Sequence, residues 1–229
     1  MFKHELIENK KITSIDTEVG RFYTNDESDR FPSVTTFLSS VLDKSGLDEW
    51  RKRVGDEEAD RATNRGARRG TALHLVCEKY VLNEPLPKMM PSTVVLFNQV
   101  KPVLDARLNL VLGVEIPMMS PKLRLGGRCD LVCEFDGKKT ILDFKTTNNA
   151  KSEDMLYGYF IQETVYSLML LETYGINCEQ LVTISAGDSE PKAQVVIKNR
   201  VDYIQDAIRL VKDYHKMMDQ MFVLEASES

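Results

Sequence analysis

Two acidic residues on adjoining predicted strands are the best candidates for chemistry in this chain. Asp130 and Asp143 lie in β-rich runs on either side of Asp136-Gly137, a dipeptide that strongly favours a two-residue hairpin turn. Counting outward from that turn places the two aspartates opposite each other. Their Cβ atoms would then be about 4.5–5.5 Å apart, where like charges repel. We therefore expect one carboxyl to be protonated or a cation to lie between the two.

The same register divides the hairpin into an apolar and a polar face. Lys145 follows Asp143 by two residues and so shares its polar face, where its ammonium group could orient a water molecule or stabilise charge on a phosphate. Mg²⁺ binds one or two carboxylates together with waters and a phosphate. A solvated face of an edge hairpin is the alternative interpretation. Phe135 pairs with Lys138 next to the turn. The predicted apolar face carries the pairs Cys129–Phe144, Leu131–Leu142 and Cys133–Thr140, and the other face carries Arg128–Lys145, Asp130–Asp143 and Val132–Ile141.

These residues resemble the signature of the PD-(D/E)XK nuclease superfamily, in its RecB-like branch. Asp130 and the triplet Asp143-Phe144-Lys145 match the D…D-x-K motif of that family. Residues 69–74, ending in His74, resemble its upstream G-x-x-x-H helix, and residues 162–166 resemble its downstream Q-x-x-x-Y helix. Residues 32–36 and 50–55 further resemble the mitochondrial genome maintenance exonucleases and their phage relatives.

The resemblance implies a metal-dependent hydrolysis of DNA phosphodiester bonds. One or two Mg²⁺ or Mn²⁺ ions would be held by Asp130, Asp143, His74 and the Phe144 carbonyl, while Lys145 would position the nucleophile. The predicted strand 111–118 carries Glu115, which is either a further metal ligand or a surface carboxylate. On the helix of His74, Glu78 lies one turn further on and could fix the tautomer of the imidazole.

The resemblance also implies an α/β fold with a mixed central β-sheet flanked by helices. Its restriction-endonuclease-like αβββαβ core matches the order of elements predicted from residue 70 to residue 186. We expect one nuclease domain with three parts. Residues 1–68 would form an N-terminal hairpin and helical layer, residues 69–198 the catalytic core, and residues 199–229 a C-terminal helix with a frayed tail from residue 225.

A cationic stripe is predicted just before His74. Arg61, Arg65, Arg68 and Arg69 recur at helical spacing without an acid between them. A solvated helix face is the alternative, but the position favours contact with DNA phosphates. Because the net charge is −5, any DNA contact must be such a local basic patch.

Several aromatic and amide side chains are weaker candidates for DNA contact. Gln162 and Tyr166 lie one turn apart on a predicted helix that runs from residue 152 to a stop at Gly175, where they either contact DNA or pack against neighbouring elements. Exposed bases could stack on Trp50, Phe31, Tyr157 and Tyr159, which would suit single-stranded DNA. Aromatic residues at such spacings also commonly belong to a core.

The cysteines and the overall composition bear on whether the protein holds an iron–sulfur cluster and where in the cell it acts. We interpret Cys77, Cys129, Cys133 and Cys178 as buried free thiols, with Cys129 and Cys133 on the apolar face, and expect no iron–sulfur cluster. No apolar run approaches the roughly 20 residues of a membrane-spanning helix, and the first residues lack a signal sequence. We expect a cytoplasmic protein of a bacterial or phage-infected host cell.

The function predicted from these features is that of an exonuclease acting from DNA ends, with single-stranded DNA as the favoured substrate, in replication, recombination or repair. A structure-specific or restriction-type endonuclease is one alternative. A catalytically inactive DNA-binding module of the same fold is the other.

Overall fold

A six-stranded mixed sheet with helices on both sides forms the centre of the protein. The computed structural model describes residues 1–25 and 29–228. Its elements are β1 (Lys3–His4), β2 (Ile12–Thr17), β3 (Gly20–Asn25), β4 (Arg30–Pro32), α1 (Val34–Val41), α2 (Ser45–Val54), α3 (Asp56–Val81), α4 (Pro91–Arg107), β5 (Leu108–Ser120), β6 (Leu125–Phe135), β7 (Lys138–Thr147), α5 (Glu153–Tyr174), β8 (Gln180–Gly187), β9 (Gln194–Asn199) and α6 (Ile204–Glu228). The central sheet has the order β1-β5-β6-β7-β8-β9, and β2-β3-β4 form a second sheet. The predicted mixed α/β fold is confirmed.

Both faces of the central sheet are packed. On one face, Val132 and Ile141 belong to a first apolar cluster with residues of α1, α5 and α6. On the other, Leu131 and Leu142 belong to a second cluster with residues of α3 and α4. The alternative interpretation of the hairpin as an edge with a solvated polar face is therefore wrong, because helices cover the sheet on both sides.

The hairpin of β6 and β7 has the predicted turn and the predicted register near it. Asp136 and Gly137 have φ of 52° and 74°, the positive values that a type I′ turn requires. Pairing extends from Phe135–Lys138 to Leu131–Leu142 and ends there. The pairs expected beyond that point, including Asp130 opposite Asp143, are absent from the ladder.

The residues of β6 change sides where this pairing ends. Cys133 belongs to the second apolar cluster, but Cys129 belongs to the first. The neighbouring strand β5 changes sides at the same level, since Val114 packs against the second cluster and Ile116 lies in the first. Between them Glu115 has a φ of 52°, which reverses the alternation of side chains. The predicted common face of Cys129 and Cys133 is wrong, because β6 changes sides between them, although all four cysteines are free and buried.

The N-terminal region contains one strand more than the expected hairpin, and a long helix that crosses the expected boundary. The predicted hairpin is present as β2 and β3, and β4 extends it to a three-stranded sheet. Helix α3 continues without interruption through residues 56–81, so that the expected boundary at residue 68 falls inside it. Tyr23 of β3 packs against Gly126 of β6, where a Cβ atom would lie 2.3 Å from the Cβ atom of Tyr23.

The C-terminal elements follow the prediction closely. Helix α5 ends at Gly175, which has the left-handed conformation of a helix stop. Helix α6 continues to Glu228, so the expected frayed tail from residue 225 is helical up to that point, and Ser229 lies outside the described residues. Within the described ranges, no helix combines the length and apolar character needed to cross a membrane.

The contact between Tyr23 and Gly126 predicts opposite effects for two glycine substitutions. Gly126→Ala should lower the free energy of unfolding by about 1–3 kcal/mol, because the new methyl group cannot avoid the root of the Tyr23 side chain. Gly66→Ala should raise it by about 0.5–1 kcal/mol, because Gly66 lies in α3 with nothing within 4 Å of an added Cβ atom. Urea unfolding of both variants measures the difference. Equal effects of the same sign would contradict the packing described here.

Candidate active site

The site begins where β6 and β7 stop pairing. The backbone N–H of Phe144 donates a hydrogen bond to Asp130 Oδ2 at 2.8 Å, so a carboxylate takes the place of the backbone acceptor expected in a ladder. The carbonyl oxygen of Phe144 points to His74 Nε2 at 2.6 Å. One residue of β7 thus contacts both Asp130 and His74 through its backbone.

Helix α3 brings His74 to this point from the second apolar cluster. Leu73 and Cys77 are fully buried and fix the helix against the sheet, and His74 Nδ1 lies 3.4 Å from Asp130 Oδ1. Burial lowers the pKa of His74, but the Asp130 carboxylate and the nearby Asp143 outweigh it and raise the pKa to about 9. Both ring nitrogens face acceptors, Phe144 O and Asp130 Oδ1.

Asp143 and Lys145 form a second buried charge pair beside the first. Asp143 is only 2% exposed, and its Oδ2 is paired with the ammonium group of Lys145. Burial raises the pKa of Asp143 to about 6 although Lys145 opposes the shift. Burial also acts to raise the pKa of Asp130, but His74 outweighs it and holds that pKa below its usual value. Each aspartate therefore has its own cation, whereas the sequence predicted one proton or one cation for the pair.

Gln162 and Tyr166 support Lys145 from α5. Lys145 Nζ donates to Gln162 Oε1 at 3.2 Å, and Gln162 Nε2 donates to the Tyr166 hydroxyl at 3.1 Å. Gln162 and Tyr166 are 8% and 4% exposed, and the Tyr166 ring fills the space beside Gly127. Of the two interpretations of these residues, their burial favours packing, with Gln162 positioning the lysine.

Glu115 reaches the site from β5 through its unusual backbone. Its positive φ turns the side chain toward His74 and Asp130, and one oxygen atom of its carboxylate lies within 4.8 Å of a ligand atom of each. Burial raises the pKa of Glu115, although Arg128 opposes the shift. The Arg128 Nε atom is 2.6 Å from Glu115 Oε2. Of the two interpretations of Glu115, the geometry favours a metal ligand.

The donor atoms of this site fit a divalent cation. One imidazole nitrogen and two carboxylate oxygens converge from His74, Glu115 and Asp130, and the Phe144 carbonyl contacts the same imidazole. Oxygen-rich sets of this kind suit Mg²⁺ or Mn²⁺. Asp143, also expected to be a ligand, adjoins the set but is engaged by Lys145.

The arginine stripe on α3 is less free than the sequence indicated. Arg61 pairs with Glu57 at 2.9 Å, and Arg65 pairs with Glu58 at 2.8 Å. These acids lie about one turn before the first arginine of the stripe, outside the segment in which none was found. Arg69 is half-buried and pairs with Asp188. Arg68 is exposed, and no ion pair involves it in the part of the chain that the structure describes.

A cleft of about 740 Å³ lies between α3, the first turn of α4 and the end of β7. Thr146, the residue after Lys145, lines it. Arg68 and Lys151 also line it, and α4 begins there without a side-chain cap. The Lys151 Nζ atom donates to the Tyr159 hydroxyl at 2.9 Å, and Lys145 Nζ lies 5.0 Å from the centre of the same ring. The cleft and the charge pairs are therefore connected through Tyr159.

The other aromatic candidates lie in different surroundings. Tyr157 donates to Asp206 at 3.0 Å and faces α6, which favours a packing role over base stacking. Phe31 is half-buried on β4 and pairs with Tyr23, and Trp50 is half-buried on α2. Glu78 does not fix the imidazole tautomer, since Phe144 and Asp130 occupy both ring nitrogens.

Two residues of the site received no role from the sequence. Arg128 was expected opposite Lys145 but contacts Glu115, and Lys151 was not singled out. Its position two residues before Asp130 was the available signal for Arg128. No sequence pattern indicates the positive φ of Glu115, which brings its carboxylate to Arg128.

Comparisons with known proteins complete the description. The sequence model of the PD-(D/E)XK nuclease superfamily matches residues 34–226. No curated protein matches the chain in sequence. Among solved structures, SSO0001 is 13% identical with a TM-score of 0.45, covering 81% of this chain and 74% of its own. A candidate exonuclease from Eubacterium rectale is 14% identical with a TM-score of 0.40, covering 70% and 69%. A phage-related exonuclease from Haemophilus somnus 129PT is 13% identical with a TM-score of 0.35, covering 66% and 83%. With TM-scores below 0.5, these likenesses are too distant to indicate a function.

The buried pair of Asp143 and Lys145 predicts a pH-dependent loss of stability. In metal-free protein, Lys145→Met should lower the free energy of unfolding by about 3 kcal/mol at neutral pH, because a buried carboxylate loses its cation. The pKa of Asp143 is already raised to about 6 and should rise further. The folded variant then binds a proton that the unfolded chain releases above about pH 4. The loss should therefore be small near pH 4 and largest above pH 7.

Urea unfolding at a series of pH values measures this effect. Lys198→Met is the matched control, because Lys198 pairs with the exposed Glu153 at 2.6 Å. Its effect should stay within about 1 kcal/mol at every pH. A loss in the Lys145 variant that does not change with pH would contradict the buried pairing.

Proposed function

Because this chain belongs to the PD-(D/E)XK nuclease superfamily, we propose that it is a metal-dependent exonuclease that hydrolyses DNA from its ends and favours single strands. The observation that most supports a catalytic site is the convergence of His74, Glu115 and Asp130 within 4.8 Å beside the buried pair of Asp143 and Lys145. A module that only binds DNA has no need for so many buried charges at one point, since burying charge is unfavourable unless it is paired.

The metal would be held by chain atoms that already face one another. His74, Glu115 and Asp130 would supply side-chain ligands, with the Phe144 carbonyl and Asp143 adjoining them. When bound, Mg²⁺ or Mn²⁺ supplies Lewis acidity toward the phosphate and lowers the pKa of water. His74 must lose a proton to become a ligand, and Asp130 and Phe144 hold the ring in position for that change.

Lys145 would act on the phosphate under attack. Its ammonium group is fixed by Asp143 and Gln162, so it can face developing negative charge without reorganising. Preorganised charge of this kind is worth much more in a buried site than in water. Gln162 and Tyr166 would contribute by holding the lysine rather than by contacting substrate.

The cleft beside α3 would hold the adjoining part of the strand. Arg68 and Lys151 provide positive charge there, and the uncapped first turn of α4 offers backbone N–H groups to a phosphate. Tyr159 is half-exposed between Lys145 and Lys151, where an unpaired base could stack. This combination supports a single-stranded substrate. The preference for ends is supported by the resemblance of residues 32–36 and 50–55 to exonucleases.

Removing one carboxylate should separate catalysis from binding. Asp143→Asn should reduce the rate of DNA hydrolysis by at least about 100-fold, because Lys145 loses its partner and the metal site loses an adjoining charge. DNA affinity should change little. Asp136→Asn is the matched control, since it makes the same chemical change at the turn of the same hairpin and Asn-Gly also favours a type I′ turn. It should leave the rate unchanged.

The assay uses end-labelled linear single- and double-stranded oligonucleotides and closed circular single strands, with Mg²⁺, Mn²⁺ or chelator. An exonuclease degrades the linear DNA and leaves the circles intact. Cleavage of circles would show an endonuclease. DNA binding without hydrolysis under any metal condition would show an inactive module, and normal cutting by the Asp143 variant would refute the site.

The arginines of α3 should contribute unequally to DNA binding. Arg68→Gln should weaken the binding of single strands and reduce the slope of log K against log salt by about 0.7, the value for one phosphate contact. Arg61→Gln should have a smaller effect on both, because Arg61 is already paired with Glu57. Fluorescence anisotropy at several salt concentrations distinguishes the two. Equal slopes for both variants would show that the stripe binds DNA as a uniform surface.

A further inference from the structure

Arg128 occupies a position between the metal ligands and the solvent. It lies on β6 two residues before Asp130, and its side chain is 51% exposed. Its Nε atom forms an ion pair with Glu115 Oε2 at 2.6 Å. Within the described residues this is its only ion pair, and its two terminal nitrogens have no hydrogen bond there. A guanidinium group beside the site thus has most of its donors free.

Glu115 is the carboxylate that Arg128 holds. The positive φ of Glu115 fixes its side chain at the edge of the site, so the same carboxylate is offered to Arg128 and to the metal position between His74 and Asp130. A guanidinium group on one of its oxygens reduces the negative charge available to a cation. The positive charge of Arg128 also repels a divalent ion directly. Arg128 therefore competes with the metal for Glu115.

A DNA phosphate would change the outcome of this competition. Arginine binds phosphate through paired N–H groups in a fixed fork, and the Arg128 side chain is exposed enough for its terminal nitrogens to accept such a ligand. A phosphate bound to Arg128 would supply the negative partner that Glu115 supplies when no DNA is bound. The Glu115 carboxylate then becomes available to the metal.

We propose that Arg128 couples DNA binding to metal binding by exchanging Glu115 for a substrate phosphate. The inference rests on the proposed nuclease function and adds a coupling to it. Without DNA, Arg128 holds Glu115 and weakens metal binding. With DNA, the phosphate holds Arg128 and Glu115 binds the metal. Because such coupling is reciprocal, the metal must also strengthen DNA binding by the same factor.

The test measures two equilibria in the full chain without requiring turnover. Calorimetry gives the dissociation constant of Mn²⁺ alone and in the presence of a saturating phosphorothioate single strand that resists hydrolysis. Anisotropy of the same labelled strand gives its affinity with and without Mn²⁺. For the unmodified protein, DNA should tighten Mn²⁺ binding by about fivefold or more, and Mn²⁺ should tighten DNA binding equally.

Substitution of Arg128 should remove the coupling. Arg128→Gln should bind Mn²⁺ more tightly than the unmodified protein when no DNA is present, and the strand should add little to that affinity. Glu115→Gln should bind Mn²⁺ more weakly and also lose the coupling. Arg107→Gln is the matched control, because Arg107 forms a similar pair with Asp136 at 2.5 Å at the other end of the sheet. It should keep the unmodified values.

The outcomes separate this inference from the proposed function. Mn²⁺ binding by the unmodified protein together with an unchanged coupling in Arg128→Gln would overturn the exchange and leave the nuclease proposal standing. Mn²⁺ binding in Arg128→Gln that is weaker than in the unmodified protein would also overturn it, because Arg128 would then support the metal site. Failure of the unmodified protein to bind Mn²⁺ with or without DNA would overturn the proposed function itself.

Discussion

The hydrogen bond from the Phe144 N–H to the Asp130 carboxylate is the interaction on which the rest of the site depends. A regular ladder would satisfy that N–H with a backbone carbonyl and keep β6 and β7 in contact. With a side-chain acceptor in its place, the two strands separate after the Leu131–Leu142 pair. The opening lets an imidazole from α3 reach the carbonyl of the same residue, Phe144. The site at the open end of this hairpin therefore combines residues of β6 and β7 with His74 of α3 and Gln162 of α5.

The charges around that opening are balanced in pairs. His74 accompanies Asp130, Lys145 accompanies Asp143, and Arg128 accompanies Glu115. Buried or half-buried charges are tolerated because each has a partner at short range. A divalent cation adds positive charge to a balanced site, so something must compensate for it. Loss of the imidazolium proton and the arrival of a phosphate are the two changes that the site allows. For the proposed nuclease, this charge balance would favour binding of the metal and DNA together.

Local sequence signals determined much of this structure, and they failed where distant segments meet. Asp136-Gly137 fixed the register because a type I′ turn leaves no alternative near it, and the spacing of Asp130, Asp143 and Lys145 identified the family. Counting outward from the turn became wrong once a side chain replaced a ladder bond. His74, which contacts both Asp130 and Phe144 at that point, lies more than fifty residues away in the chain. The positive φ of Glu115 has no sequence signal, since glutamate rarely adopts it.

The arginine stripe and the Tyr166 side chain also show that sequence periodicity does not reveal which contacts a side chain makes. Periodicity correctly placed Arg61 and Arg65 on one helix, but Glu57 and Glu58 on the same helix already pair with them. The Q-x-x-x-Y spacing correctly placed Gln162 and Tyr166 one turn apart, while the Tyr166 ring packs beside Gly127 in another element. A sequence motif identifies which residues act together, and the packing of the sheet decides which of them can reach substrate.

The position of a bound metal tests the central claim most directly. Crystals of the protein grown with Mn²⁺ and a phosphorothioate strand would give an anomalous difference map at the manganese absorption edge. The structure predicts a peak about 2.0–2.3 Å from carboxylate oxygens of Glu115 and Asp130 and from a ring nitrogen of His74. A peak elsewhere in the molecule, or none with the strand bound in the cleft, would contradict the claim that these residues form the metal centre.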